Sequence, residues 1–331
     1  MILAGDIGGT KTALGLFDVS GADLRLVRET TFPSREHASL RTLVETFLAA
    51  GPPIRIDGAC FGIAGPVEDG KVVTTNLPWV VERSRLVEAL GVAVVLLNDL
   101  AAAAYGMLFL PEEAFAVLQT GHEGTRGSVA VIAPGTGLGE ALLYFDGARY
   151  HPVASEGGHA DFAARSEVEI DLLRHLRERF DHVSYERVLS GDGISNLYAF
   201  LRDSGRAAAP EWLERELESG DPNARITQLG LAGEVEICAE ALDLFVSILG
   251  AEAGNLALRC AATGGVIVGG GIGPKILPAM KKPGFAAAFA DKGRLSEWLR
   301  QRRVCVALEP RAPLLGAAHF LHDRMERAKE R

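Results

Sequence analysis

Three stretches of this chain hold the residue types that chemistry needs. The first, Asp6-Ile7-Gly8-Gly9-Thr10-Lys11-Thr12, lies between two apolar runs, Ile2-Leu3-Ala4 and Ala13-Leu14-Gly15-Leu16-Phe17, which both read as strands. It is predicted to be the turn of a β-hairpin, with Gly8 and Gly9 taking φ > 0 and presenting bare backbone N–H groups. Thr10 adds a hydroxyl, Lys11 a charge, and Asp6 a carboxylate able to hold a magnesium ion through water. That set suits a metal-bound polyphosphate; an ordinary Gly-Gly hairpin is the plainer alternative. The commonest phosphate loop, GxxxxGK[ST], is excluded, because Thr stands at position 10 and a strand, not a helix, follows.

The second stretch is Asn98-Asp99, at a strand end and a helix start inside an apolar run. Asp99 is the best candidate for a catalytic base, its plainer role being a helix N-cap. Paired with Asn98 it could grip two neighbouring hydroxyls while its carboxylate takes one proton. The third is Glu156-Gly157-Gly158-His159, an acid and an imidazole converging from a compact loop and suited to sugar hydroxyls. Structural alternatives are a surface carboxylate and a histidine held by Asp161. Glu186 is weaker by itself, an exposed helix residue beside Arg187.

These residues need elements to hold them. Strands are expected near 1–6, 12–18, 24–31, 57–64 and 92–97, and helices near 38–50, 83–90 and 99–108. Ligands collect at the carboxyl ends of strands in open α/β sheets, which marks Ile63-Ala64-Gly65-Pro66-Val67 and Asn98-Asp99 as site turns. A second cycle repeats the design: strand Ser128 to Ile132, turn Pro134-Gly135-Thr136-Gly137-Leu138-Gly139, strand Ala141 to Phe145. The recurrence predicts two related halves, each with a phosphate-binding hairpin. A long helix is expected over Glu234 to Cys260, ending in a glycine cap at Gly264-Gly265. Gly269-Gly270-Gly271-Ile272-Gly273 then follows a strand and precedes a helix. Pro274 spoils GxGxxG there, so a glycine wall against adenosine fits better than a dinucleotide fingerprint. The last helix is expected near Ala312 to Glu326, with a frayed tail from Arg327.

With 331 residues, 48% hydrophobic and 23% charged, the chain has material for two domains and a core in each. A formal charge of -9 without a basic stripe argues against a nucleic-acid partner. Lys281-Lys282 and Arg300 to Arg303 read as solvated faces. Cys60, Cys238, Cys260 and Cys305 have no CxxC spacing and read as buried free thiols of a reducing cytoplasm. No signal peptide is evident. The one stretch inviting a membrane reading, Ala89 to Leu110, carries Asn98-Asp99 at its middle, and no membrane partner is expected.

In order along the chain, DIGGTKT, IAGPV, LLNDL, PGTGLG, SEGGHADF, YERVLSG and VIVGGGI resemble the bacterial glucokinase family, within the sugar kinase, actin and Hsp70 ATPase superfamily. The resemblance implies an α/β, two-domain, ribonuclease H-like fold of the actin type, with a cleft between a small α/β and a larger α+β domain. The small domain would take residues 1–108 and the C-terminal helix 311–331, the large one 109–310. It implies ATP-dependent phosphorylation of D-glucose at the 6-hydroxyl, with ATP and Mg²⁺ as cofactors, by a cytoplasmic homodimer. Asp99 would be the base. Asn98, Asp99, Glu156, His159 and Glu186 would bind sugar. Gly5, Asp6, Ile7, Gly8, Gly9 and Thr10, with Gly135, Thr136 and Gly137, would bind phosphates, and Gly270 the adenosine. Alternatives are a kinase for mannose, fructose or N-acetylglucosamine, and a sugar-binding regulator without catalysis. Lys11-Thr12 looks more like the related repressor, open-reading-frame and kinase group. Its zinc site is not expected here, since no cysteine occurs between Cys60 and Cys238. Its N-terminal helix-turn-helix is not expected either, because the chain opens on the phosphate-loop strand.

Overall fold

The computed structural model describes residues 1–21, 23–74, 76–122 and 125–329. They form two compact units: Met1–Glu112 with Tyr150–Ala154 and Glu309–Arg331, and Glu113–Arg149 with Ser155–Leu308.

The first unit is built on strands β1 (Ile2–Ile7), β2 (Lys11–Ser20), β3 (Asp23–Pro33), β4 (Gly58–Ile63) and β7 (Ala93–Asn98), ordered β3-β2-β1-β4-β7. A small hairpin, β5 (Lys71–Val73) and β6 (Val80–Glu82), stands apart. The two-residue period divides β1 between two cores. Leu3 and Ile7 pack with helix α1 (Leu40–Ala49) and with Leu86 of α2 (Arg83–Leu90). Ile2 and Ala4 face the opposite side. β1 pairs antiparallel with β2 and parallel with β4, and β4 pairs parallel with β7. Register puts Ile7, Ile63 and Asn98 side by side. Three strands thus end level at one sheet edge, and helix α3 (Asp99–Met107) starts there.

The second unit carries β8 (Phe115–Gln119), β9 (Val129–Pro134), β10 (Leu138–Phe145), β12 (Gly265–Val268) and β13 (Val304–Ala307), running β10-β9-β12-β13-β8. β11 (Tyr150–Ser155) straddles the division between the units. β9 pairs antiparallel with β10 and parallel with β12, as β1 does with β2 and β4. The predicted recurrence is therefore real at the level of sheet topology. Helices α4 (Glu167–Arg177), α5 (Gly191–Asp203), α6 (Glu211–Ser219), α7 (Pro222–Ala232), α8 (Glu236–Arg259), α9 (Leu277–Met280), α10 (Pro283–Ala290) and α11 (Ser296–Arg300) surround one core. That core takes Leu242, Phe245, Leu249 and Leu256 from α8 and Val266 and Val268 from β12. The last helix, α12 (Ala312–Lys329), belongs to the first unit and lays Leu314, Ala317 and Leu321 over Ile2, Ala4 and Phe17.

Several expectations need correction. α8 is not capped by Gly264-Gly265; it stops at Cys260, and Ala261 takes φ 44. Gly265 is instead the first residue of β12. α12 runs past Arg327 to Lys329, whose ammonium pairs with Glu326 at 2.7 Å, so the helix persists where fraying was expected; the final two residues lie outside the described chain. Arg302 is buried, stacked on Trp298 and bonded to the Trp298 carbonyl, rather than solvated. Cys60, Cys238 and Cys305 are buried, but Cys260 is only half-buried. The helix long and apolar enough to cross a membrane, among the described residues, is α8 and not Ala89 to Leu110; 72% of its apolar window is buried in the fold.

Candidate active site

In the first unit the turn between β1 and β2 is held from beneath by Ser34, a buried residue just after β3. Ser34 N–H donates to Thr10 O at 2.9 Å, and its hydroxyl donates to Gly8 O at 2.8 Å. The same hydroxyl lies 2.9 Å from Thr12 Oγ1. Gly8 N–H closes the turn on Lys11 O at 3.0 Å. With those carbonyls tied down, no hydrogen bond engages the Gly9 or Thr10 N–H among the described residues, which leaves two donors for an anion. The expected positive φ is absent at both Gly8 and Gly9. What demands glycine at position 9 is crowding: a Cβ there would lie 2.5 Å from Asn76 Cβ. Lys11 is exposed at the edge of this turn.

Asp6, partly buried at the end of β1, has its carboxyl pushed up to about 7, first by burial and then by the neighbouring Asp99 carboxylate. Asp99 is shifted upward too, by burial, against the backbone N–H groups that favour its charge. The cap reading for Asp99 is corrected by Asn98, whose Oδ1 accepts from both Leu100 and Ala101 N–H at 3.0 Å. Asp99 is the first helical residue, and its Oδ1 accepts from Leu100 N–H at 2.8 Å. Capping uses the Asn98 carbonyl, so the pair cannot grip two hydroxyls symmetrically. The Asn98 amide, donating weakly to Gly65 O at 3.4 Å, is the part left for a ligand. Two carboxylates in one low-dielectric place, short of positive charge, suit a hard cation. No group of three or more His, Cys, Asp or Glu residues is placed to hold a metal ion among the described residues, so a cation at Asp6 would need phosphate oxygens and water for the rest of its shell.

In the second unit the turn Gly135-Thr136-Gly137 is a meeting point. Gly191 N–H, in the first turn of α5, donates to Gly135 O at 2.9 Å, beside the helix cap Ser190. Glu186 Oε2 accepts from Leu138 N–H at 3.0 Å. A Cβ on Gly137 would stand 2.4 Å from that same oxygen, so glycine is what lets Glu186 reach the turn. On the other side Gly270, at φ 74, lies so close to Pro134 O that a Cβ would come within 2.4 Å of it. Ile272 N–H donates to the same carbonyl at 3.1 Å. The glycine segment is a run of turns after β12, and its helix, α9, begins only at Leu277.

Glu186 is 31% exposed on a short 3-10 turn and His159 is 59% exposed, with Nδ1 3.9 Å from Glu186 Oε1. Asp161 does not hold His159; it pairs with His182 at 3.3 Å, and His182 Nε2 lies 2.9 Å from His159 O. Glu156 is exposed at the head of the loop. A pocket of about 390 Å³ opens beside His159 and Glu186, with Arg179 and Arg187 in its walls, a size that suits a small polar molecule. Two residues escaped the sequence reading. Ser34 follows Pro33 with no motif around it, while Ser190-Gly191 lies within YERVLSG and carries the S-x-x-G spacing of a helix cap.

The glucokinase family model matches residues 3–324. The glucokinase of Trichormus variabilis is 40% identical, over 96% of this chain and 98% of its own. That of Yersinia pestis (strain Pestoides F) is 37% identical, over 98% of this chain and 97% of its own. Among solved structures, a glucokinase from an Antarctic psychrotroph superposes with a TM-score of 0.85 at 34% identity, covering 97% of this chain and 98% of that one. The chain therefore belongs to the glucokinase family, enzymes of the sugar kinase, actin and Hsp70 ATPase superfamily.

Proposed function

We propose that this enzyme transfers the γ-phosphoryl group of ATP to the 6-hydroxyl of D-glucose, giving glucose 6-phosphate and ADP. Phosphoryl transfer asks a protein mainly for positioning and charge compensation. The glucose O6 forms a bond to the γ-phosphorus, and the bond from that phosphorus to the β,γ-bridging oxygen breaks, its electrons leaving with ADP. The O6 proton passes to Asp99. The observation that carries this reading is the division of labour at the start of α3. Asn98 caps the helix, so Asp99 keeps a carboxylate oxygen for a proton, and burial raises its affinity for one.

Further roles follow from local surroundings. The free N–H groups of the first turn bind phosphate oxygens, as does the turn Gly135-Thr136-Gly137, which the Gly135 N–H closes on Gly137 O at 2.8 Å, and Gly270 lines the adenosine. Asn98 Nδ2, Glu156, His159 and Glu186 hold sugar hydroxyls. Asp6 fits a magnesium ion brought by the nucleotide, held through water. Such an ion would offset phosphate charge as it builds on the leaving group. Asp6, whose carboxyl burial pushes up to about 7, would hold that ion in its ionised form. The small domain of residues 1–108 and 311–331 and the large one of 109–310 are the functional divisions of the same reading. It also includes a cytoplasmic setting, which the free cysteines suit, and a homodimer, which rests on the family alone.

The experiment is ADP release from ATP-Mg²⁺ with glucose, mannose, fructose, N-acetylglucosamine and no sugar. Strong release with glucose alone is expected. Equal release with another hexose would replace glucose as the substrate. No sugar-dependent release would leave a sugar-binding regulator.

A further inference from the structure

Beneath the loop that carries Glu156 and His159 lies a buried acidic pair that the reaction above does not use. Glu140 on β10 is 1% exposed and Glu252 on α8 is fully buried. Glu252 has two close donors, Arg259 Nη1 at 2.7 Å and Asn255 Nδ2 at 2.8 Å. Glu140 has no such company. Its Oε1 is buried without a donor, and its nearest cation, Arg259, is 4.0 Å from Oε2. A buried carboxylate left in that state costs several kcal/mol. The pair is reconciled if Glu140 is protonated, because burial and the neighbouring Glu252 charge both favour its neutral form and a protonated Oε1 would have a carboxylate to donate to.

The pair touches both halves of the sugar-binding group. Gly157 rests on Glu140, since a Cβ there would come within 2.1 Å of Oε2, and Gly158 rests on Leu138 O in the same strand. On the far side, Asn255 Nδ2 donates to the Tyr185 hydroxyl at 3.0 Å, and Tyr185 precedes Glu186. The remaining ionisable groups facing the pair are Cys260, beside Glu140, and Lys292, beside Glu252.

We propose that Glu140 is a positioning residue for glucose: one proton shared between Glu140 and Glu252 keeps the Glu156–His159 loop and Glu186 in the geometry that binds the sugar. Loss of that proton sets two carboxylates against each other under Gly157 and displaces the loop. The inference rests on the proposed phosphorylation of glucose. Burial first, and then the Glu252 and Arg259 charges in opposition, put the Glu140 carboxyl up to about 8. The proton is therefore present at pH 7 and lost by pH 9.

The test measures kcat and KM for glucose and for ATP from pH 7 to 9 in the wild type, Glu140→Gln and Glu252→Gln. For the wild type, the glucose KM should rise about fivefold across that range, the cost of a small misplacement, while the ATP KM stays within twofold. Each glutamine variant keeps one neutral partner, so its glucose KM at pH 9 should stay within twofold of its own value at pH 7. Two variants guard against one that fails to fold. A wild-type rise reproduced in parallel by both would overturn the proposal, as would a flat wild-type profile. Absence of glucose-dependent turnover in the wild type at pH 7 is a different failure: it brings down the function, and this inference with it.

Discussion

The β1–β2 turn and the β9–β10 turn occupy the same place in two sheets of like topology, yet they are braced in different ways. The first is held from below by one buried hydroxyl, Ser34, and is preceded by the acidic Asp6. The second is preceded by Pro134 and is held from the side, by the first turn of α5 and by the Glu186 carboxylate. On the proposed reading the bracing Glu186 also holds sugar, which would tie phosphate and sugar recognition together at the second turn. At the first, bracing is separate from chemistry, and the nearby carboxylates are left with raised proton affinity. In the proposed function the same turn serves reaction in one unit and recognition in the other.

Asp99→Asn tests the reactive side with the largest effect. It removes the base and keeps the shape, and general bases contribute roughly 10²–10⁴-fold. Turnover measured by ADP release should fall about 10³-fold, while glucose affinity by calorimetry stays within a few-fold. Turnover within a few-fold of wild type would show that the proton goes elsewhere and that the first turn is no more reactive than the second.

Asp6→Asn comes next, read as stability. The folded protein holds the Asp6 proton up to about pH 7, whereas an unfolded chain releases it near 4. More protons are bound folded than unfolded across that window, so wild-type stability falls as pH rises from 4 to 7 and the loss is complete above 7. The asparagine variant has no proton to lose. Without nucleotide or metal it should match wild type near pH 4 and exceed it by about 4 kcal/mol at pH 8. Urea denaturation at the two values measures the gap, and turnover should be lost in exchange. Equal stability at pH 8 would mean that Asp6 carries no burden of burial.

Much of this contrast was legible in the sequence, because glycine turns and strand ends are local. The recurrence of strand, turn and strand located both hairpins, and apolar periodicity found α8 and the strands beside them. What could not be read was which non-local neighbour each turn would meet. Ser34 reaches Gly8 across 26 positions, and Glu186 reaches Leu138 across 48. The conformational argument for Gly8 and Gly9 failed for the same reason: crowding from Asn76, not φ, is what requires glycine at position 9. The pairing of Asn98 and Asp99 was visible, but the assignment of the cap depended on a backbone offset of one residue, finer than sequence periodicity resolves.

The two braces can finally be broken separately. Gly137→Ala places a methyl 2.4 Å from Glu186 Oε2, so the carboxylate must shift, which strains its bond from Leu138 N–H. A hydrogen bond to a charged group is worth about 1.5–3 kcal/mol, and the glucose KM should rise roughly tenfold together with the ATP KM. Ser34→Ala removes a neutral hydroxyl from a buried site and strands Gly8 O and Thr12 Oγ1, which costs about 1–2 kcal/mol of stability. Its thermal midpoint should drop and its ATP KM should rise a few-fold, while the glucose KM stays unchanged, because the Ser34 hydroxyl bonds only Gly8 and Thr12 of the first hairpin. The pattern matters more than either number. Joint loss of both substrates at the second turn, against loss of nucleotide alone at the first, is what a shared brace and a separate brace demand. If Ser34→Ala weakened glucose as strongly as ATP, the two turns would be equivalent and the asymmetry between them would be a matter of packing alone.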